Sequence, residues 1–132
     1  MLFRSKNVAV YGGGNVAPNR LWRMSSDGSV LAMPNVPAGK GVGVQQGILV
    51  NEPVTGNFLL LSGGELWELN PDGSGTWTQQ TGSRNPPAAV GIPGPSPRDD
   101  AVIASSISDY GVVVFVTQLN QGSGSFFIYK HQ

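Results

Sequence analysis

An internal repeat constrains the fold of this chain more than any other feature. Leu21–Ser29 aligns without a gap with Leu66–Ser74, 45 positions later, and Leu, Trp, Asp, Gly and Ser coincide in the two segments. The apolar runs around both segments are short, rich in Val, Ile, Phe and Trp, and bounded by Gly, Pro, Asn and Asp. Such runs indicate β-strands, and a helical period is nowhere sustained. The sequence therefore predicts an all-β chain built from a repeated antiparallel unit.

Turn signals separate the apolar runs into ten predicted strands. Pro53–Gly56 and Asn70–Gly73 are the strongest of these signals, because Pro presets φ while Asn, Asp and Gly tolerate positive φ. Met1–Ser5 is a candidate for a further strand. The ten predicted strands are Val8–Tyr11, Arg20–Met24, Ser29–Met33, Gly47–Asn51, Asn57–Ser62, Glu65–Asn70, Gly75–Gln80, Ala101–Ser106, Gly111–Gln118 and Ser125–His131.

Four short strands in a unit of about 45 to 50 residues are typical of a β-propeller blade. The predicted blades cover approximately residues 1–34, 47–80 and 100–132 of a single domain, 1–132, with a long loop over residues 82–99. The third unit ends before the strand that would match Gly75–Gln80. The chain therefore carries about two and three-quarter antiparallel four-stranded blades, too few to close a propeller.

The second unit, Leu59–Thr78, resembles a kelch repeat. Gly63 and Gly64 match the double glycine that follows an apolar strand in that family. Trp67 matches the aromatic residue of the next strand, and Trp77 matches the Trp of the outer strand. The resemblance implies that the glycines let strands crowd toward the propeller axis and that the two Trp side chains fill the space between blades.

The other two units match the kelch pattern less fully. The first unit keeps Gly12, Gly13 and Trp22, but Leu31 or Met33 replaces the outer Trp. The third unit lacks the double glycine and keeps only the aromatic strand. The resemblance therefore spans most of the chain and implies a propeller fold, which serves both as a binding module and as an enzyme scaffold.

Asn70–Trp77 also resembles the Asp-box of sialidases and related propellers, in which a hairpin turn lies away from the active site. The segment departs from that pattern at Asn70 and Ser74. The resemblance implies that Asp72 accepts hydrogen bonds that fix the turn and that Trp77 belongs to the core between blades. The arginine cluster and the Tyr nucleophile of the sialidase active site have no recognisable counterpart.

Charge and composition exclude several partners. The chain has a formal net charge of zero, and the basic residues are scattered, so no basic patch for nucleic acid or an anionic membrane is expected. The chain has no Cys, and no apolar run approaches the roughly 20 residues of a membrane span. The sequence shows no signal peptide, so a cytoplasmic location is the default expectation unless a leader has been removed.

Motif-like segments give no catalytic, metal or cofactor site. Gly12-x-Gly14-x-x-Ala17 has the spacing of a dinucleotide fingerprint, but Pro18 follows at once and no helix is predicted to hold a pyrophosphate. His131 is the only histidine and alternates with Tyr129 on a terminal strand.

Asp99 and Asp100 are adjacent in sequence, so on a strand they would point to opposite sides. General acid–base catalysis instead needs two carboxyl groups that face each other. We therefore predict a turn and a strand start here, with no catalytic residue.

The leading functional hypothesis is a non-enzymatic binding module for a carbohydrate or protein ligand. The longest loop supplies the candidate contacts, since long loops on rigid scaffolds commonly carry function. An equally simple interpretation is a proline-rich connector lying on the neighbouring blade. A fragment of a propeller enzyme of glycosidase or oxidase type and a sugar-binding lectin are the alternatives. The candidate ligand-binding residues are Arg84, Asn85, Arg98 and Asp99.

An incomplete propeller would expose the apolar faces of its terminal blades and an unpaired strand. Two copies of about three blades would close a six-bladed ring, and two-fold dimers are the commonest homo-oligomers. The chain is therefore expected to bind itself. The alternatives are that it is a piece of a longer propeller or that it closes as a different β architecture.

Overall fold

The structure is a computed structural model of the 132-residue chain, and it describes residues 6–14, 19–42, 47–85, 102–117 and 125–131. Within these ranges ten strands form three antiparallel sheets, which confirms the all-β prediction. Sheet A contains β1 (Val8–Gly12), β2 (Leu21–Ser25) and β3 (Val30–Ala32). Sheet B contains β4 (Ile48–Asn51), β5 (Phe58–Ser62), β6 (Glu65–Asn70) and β7 (Thr76–Gln80). Sheet C contains β8 (Val102–Ile107), β9 (Val112–Thr117) and β10 (Ser125–Lys130).

Each predicted strand corresponds to one observed strand, and every boundary lies within one residue of its predicted position. The predicted strand Met1–Ser5 lies outside the described residues. Strands that are neighbours in sequence are neighbours in each sheet, so every sheet is a simple up-and-down meander. Among the described connections, short turns that contain glycine or proline reverse the chain between adjacent strands.

The double glycine of the second unit forms the hairpin turn between β5 and β6. Ser62 pairs with Glu65, which leaves Gly63 and Gly64 as a two-residue loop with φ of 59° and 73°. Positive φ at both positions is the requirement of the type I′ turn, and glycine meets it without steric cost. These glycines therefore have a local role in the backbone conformation of the turn, while their crowding of strands toward a propeller axis stays a prediction.

Gly12 and Gly13 have a different role, because other backbone atoms lie against them. A Cβ at Gly12 would collide with the carbonyl of Arg20, and a Cβ at Gly13 would collide with that of Val42. Hydrogen bonding holds the segments at this distance, since the Gly13 amide donates to the Arg20 carbonyl at 2.9 Å. Glycine is required here by close backbone approach.

The turn between β6 and β7 contains hydrogen bonds to Asn70 as well as to the predicted residue Asp72. The Asn70 side-chain oxygen accepts from the Asp72 amide at 3.0 Å, while the Asp72 carboxylate pairs with the Lys6 ammonium at 2.6 Å. In the first unit an aspartate does have the turn-fixing role, because Asp27 Oδ1 accepts from the Ser29 amide at 2.9 Å. Hydrogen bonding from Ser29 lowers the pKa of Asp27. Asp72 also accepts within the turn, through its carbonyl oxygen, from the Gly75 amide at 3.0 Å, while Asn70, two residues earlier, supplies a side-chain acceptor.

Two apolar cores lie between the three sheets, one in each contact between neighbouring sheets. The first lies between sheets A and B and includes Val8, Leu21, Phe58, Leu60 and Leu69. The second lies between sheets B and C and is built around the buried side chains Leu59, Leu61, Leu66, Val113, Phe115 and Tyr129. Among the described residues, sheet B is therefore covered on both faces, whereas sheets A and C are each covered on one.

No helix in the described ranges is long and apolar enough to span a membrane.

Replacing Leu60 by Ala tests the importance of the core between sheets A and B. Leu60 is fully buried, so Leu60→Ala should lower the free energy of unfolding by about 2–5 kcal/mol, through lost burial and the cavity left behind. Leu31→Ala removes the same atoms at a position that is 43% exposed, and should cost less than about 1 kcal/mol. Urea unfolding of both variants provides the measurement. Equal losses would contradict the assignment of Leu60 to the core.

Candidate functional site

Two of the four predicted ligand-binding residues, Arg84 and Asn85, make hydrogen bonds to other parts of the fold. Asn85 accepts from the Leu66 amide at 3.1 Å and donates to the Gly64 carbonyl at 3.5 Å, which ties the chain after β7 to the start of β6. Arg84 ends a short 3₁₀ turn and donates to the Gln80 side-chain oxygen at 3.4 Å. Arg98 and Asp99 lie outside the described residues.

Trp67 and Trp77 pack against the core between sheets A and B. Trp67 also donates from Nε1 to Glu65 Oε2 at 3.0 Å. This hydrogen bond lowers the pKa of the Glu65 carboxyl, and the Lys40 ammonium at 3.2 Å acts in the same direction. Both Trp side chains are thus part of the contact between two sheets.

Val30 is the residue of the first unit that corresponds to Trp77, the outer-strand Trp of the second unit. Trp77 pairs with Leu69, and Val30 pairs with Met24, the repeat equivalent of Leu69. The expectation that Leu31 or Met33 replaces the Trp was wrong, because the turn before β7 is two residues longer than the turn before β3. The offset between equivalent residues of the two units is therefore two residues larger after the turn than before it.

A polar cluster lies beside the core between sheets B and C. The Glu68 carboxylate is buried and accepts from Asn57 Nδ2 at 2.6 Å and from Gln80 Nε2 at 3.0 Å. His131 Nε2 lies 3.9 Å from the same carboxylate. Sequence reasoning had no signal that would place Glu68 near His131, since the two are joined only by the packing of one sheet on another. The two amide donors compensate the desolvation of the carboxylate.

Tyr129 adjoins this cluster with a buried hydroxyl group. Its side chain is 2% exposed, and its hydroxyl has no hydrogen-bond partner among the described residues. Burial, and next the charge of Glu68, raise the pKa of Tyr129 to about 12. The phenol is therefore held in its neutral form.

The described residues include no group of three or more His, Asp or Glu side chains that could hold a metal ion.

The outer face of sheet C is apolar and exposed. Phe126 is 71% exposed, and Ile103 and Ile128 are each about half exposed. Val116 lies between Ile103 and Phe126 in the sheet, and Val114 lies opposite Ile128. Residues directly opposite each other in antiparallel strands share a face, so these side chains form one continuous patch. We call this patch the C face; its residues are Ile103, Val114, Val116, Phe126 and Ile128.

The outer face of sheet A is also apolar. Tyr11 stacks on Trp22 with ring centroids 6.2 Å apart and planes inclined by 22°. Met24 lies next to this pair along β2 and pairs with Val30, and both are exposed. We call this patch the A face; its residues are Tyr11, Trp22, Met24 and Val30.

Sequence reasoning predicted exposed apolar faces on the terminal units, but among the residues of these two patches it assigned a role only to Trp22. A signal for the C face was present in the run Phe126–Tyr129, where four consecutive strand residues are apolar. Because adjacent strand residues point to opposite faces, such a run indicates a strand with two apolar faces.

Comparison with known proteins gave no match to the chain among protein families, curated proteins or solved structures.

Tyr129→Phe should change how stability depends on pH. Because the pKa of Tyr129 is raised from its ordinary value near 10 to about 12, the folded chain keeps a proton that the unfolded chain releases. The stabilisation is present below pH 10 and is lost as the pH rises from 10 to 12. Urea unfolding should therefore show a fall in stability from about pH 8 to about pH 11 that is smaller in Tyr129→Phe.

The exposed Tyr110 gives the matched control, and Tyr110→Phe should keep the fall of the unchanged chain. An equal fall in all three proteins would contradict the burial of the Tyr129 phenol.

Proposed function

We propose that the chain is a non-enzymatic interaction module of the β-propeller type that works as a homo-oligomer. The observation that carries the proposal is the presence of two exposed apolar sheet faces, one at each end of a stack of three sheets. Extended apolar patches on small proteins mark interaction surfaces. The proposed partner for these faces is a second copy of the chain.

Several features support propeller-type blades. Sheet B is a four-stranded meander, as expected for a blade, and it packs face to face against its two neighbours. The kelch-like residues Trp67 and Trp77 lie in one of these contacts. In sheet C the described strands are β8, β9 and β10, which correspond to the first three strands of sheet B. The outermost strand of a four-stranded blade is thus the one that lacks a described counterpart there.

The energetics favour association through whole faces. Burying one Phe or Ile side chain contributes roughly 1.5–3 kcal/mol, whereas bringing two proteins together costs roughly 4–15 kcal/mol. A single exposed side chain is therefore insufficient, but a patch such as the C face, with five apolar side chains, is of the required size. The residues that define both faces are uncharged, so covering these residues desolvates no charge. Lys130 lies on the same side of β10, at the last position of the strand beyond Ile128.

The described polar groups support a structural role for the polar cluster. The Glu68 carboxylate already accepts from Asn57 and Gln80, and these contacts join β6 to the turn before β5 and to β7. This carboxylate is thus used to satisfy buried donors rather than being left open toward solvent. The proposal of a non-enzymatic role rests on this use and on the apolar character of the exposed faces.

Light scattering coupled to gel filtration tests the proposal. The unchanged chain should have a mass of twice 13.8 kDa, and Phe126→Glu should reduce it to 13.8 kDa because a charge would be buried in the contact. Tyr110 is 76% exposed but lies outside both faces, so Tyr110→Glu should leave the doubled mass unchanged.

A mass of 13.8 kDa for the unchanged chain at every concentration would overturn the proposed self-association. Equal effects of Phe126→Glu and Tyr110→Glu on the mass would contradict a contact through the C face.

A further inference from the structure

The two faces of a sheet can be distinguished by whether they contact the preceding or the following sheet in the chain. The face of sheet B that contacts the preceding sheet carries Trp67 and Leu69, and we call the corresponding face of any sheet its leading face. The face of sheet B that contacts the following sheet carries Leu61 and Leu66, and we call this the trailing face. In both contacts within the chain, the trailing face of one sheet packs on the leading face of the next.

The repeat identifies the A face as a leading face. At the offset of 45 residues, Trp22 corresponds to Trp67 and Met24 corresponds to Leu69. Sheet register supports the same equivalence, because Met24 pairs with Val30 as Leu69 pairs with Trp77. The first unit therefore carries equivalents of the residues that contact a preceding sheet in the second unit. No preceding sheet is described for the first unit.

The C face is, by the same reasoning, a trailing face. Phe126 pairs with Val116 in sheet C, as Leu66 pairs with Leu61 in sheet B. Leu66 is 0% exposed because sheet C covers it, whereas its equivalent Phe126 is 71% exposed. The most exposed residue of the C face thus stands at a position that is fully buried when a following sheet is present.

We infer that the self-association is head-to-tail, with the C face of each copy packed on the A face of the other. The inference rests on the proposed function and specifies which surfaces meet. Both contacts within the chain join a trailing face to a leading face, and the C face and the A face are the remaining pair of that kind among the described sheets. A contact between two C faces would join two trailing faces, for which the described sheets offer no precedent.

Two copies are the expected number. Head-to-tail contacts either close into a ring or continue as a fibre. Two chains contribute six described sheets, twice the three described in one chain, and six lies within the typical range of about 4–8 blades for a closed propeller. In such a ring, Phe126 of one copy lies at the contact that contains Met24 of the other, and the reciprocal contact is identical. This reciprocity is the requirement of two-fold symmetry.

Two oppositely charged variants test the pairing of the faces. Phe126→Glu places a negative charge on the C face, and Met24→Lys places a positive charge on the A face. Both side chains are exposed in the single chain, so both variants should fold, which circular dichroism and thermal melting can verify. Each variant alone should be monomeric, because every dimer would contain two damaged contacts.

Mixing the two variants should restore the dimer. In the mixed pair one contact joins two unchanged faces. The other contact joins the substituted C face of one variant to the substituted A face of the other, and these two faces carry opposite charges. Light scattering of an equimolar mixture, with one variant tagged to allow recovery of the mixed species, gives the mass. The mixture should have the doubled mass that each variant lacks.

Other outcomes separate the failure of this inference from the failure of the proposed function. If the C face packs on a second C face, Phe126→Glu will be monomeric, Met24→Lys will remain dimeric, and mixing will restore nothing. If A faces pack on each other, the two variants exchange behaviour. Either result overturns the head-to-tail pairing and leaves self-association intact, whereas an unchanged chain that is itself monomeric overturns both.

Discussion

Burial on both faces of sheet B is the constraint on which the rest of the structure depends. Leu59, Leu60 and Leu61 are consecutive residues of β5, and all three are fully buried. Since consecutive strand residues point to opposite faces, apolar neighbours are needed on both sides of the sheet. Sheet A supplies one side and sheet C supplies the other. A sheet that is apolar on both faces can be stable only as an inner layer, so the stack of three sheets follows from this strand.

The same constraint bears on sheets A and C, which also have apolar side chains on both faces. In β10, Phe127 and Tyr129 face the core, while Phe126 and Ile128 point outward. The strand thus has the composition of an inner layer, although the described residues cover only one of its faces. Sheet A has the same property, with the stacked pair Tyr11 and Trp22 on its outer side. Sheets A and C therefore both carry the residues of an inner layer, and the proposed second copy would cover their outer faces.

The sequence was sufficient to predict the strands but not every residue's role. Strand boundaries could be predicted within one residue because Gly, Pro, Asn and Asp mark the turns, and β6 was predicted with both ends correct. Side-chain roles depend on register and on contacts between distant segments. Asn70 supplies a side-chain acceptor in the turn after β6, and a difference of two residues in turn length brings Val30 to the position of Trp77. Neither effect is visible in a gapless alignment.

The candidate site was less predictable than the fold. The long loop predicted ligand contacts at Arg84 and Asn85, but the hydrogen bonds of Asn85 to Leu66 and Gly64 tie it to the start of a strand. The apolar faces depend on which of two strand faces is covered, and that is decided by packing between units far apart in sequence. The succession of apolar residues in β10 indicates that both of its faces are apolar, but it does not identify the covered one.

Hydroxyl-radical footprinting across a dilution series tests most directly whether a second copy covers both outer faces. Met24 reports on the A face, Phe126 reports on the C face, and Tyr110 is an internal reference outside both. We predict that Met24 and Phe126 become protected together as the concentration rises, while the oxidation of Tyr110 stays constant. Unchanged oxidation of Met24 and Phe126 at all concentrations would contradict the account.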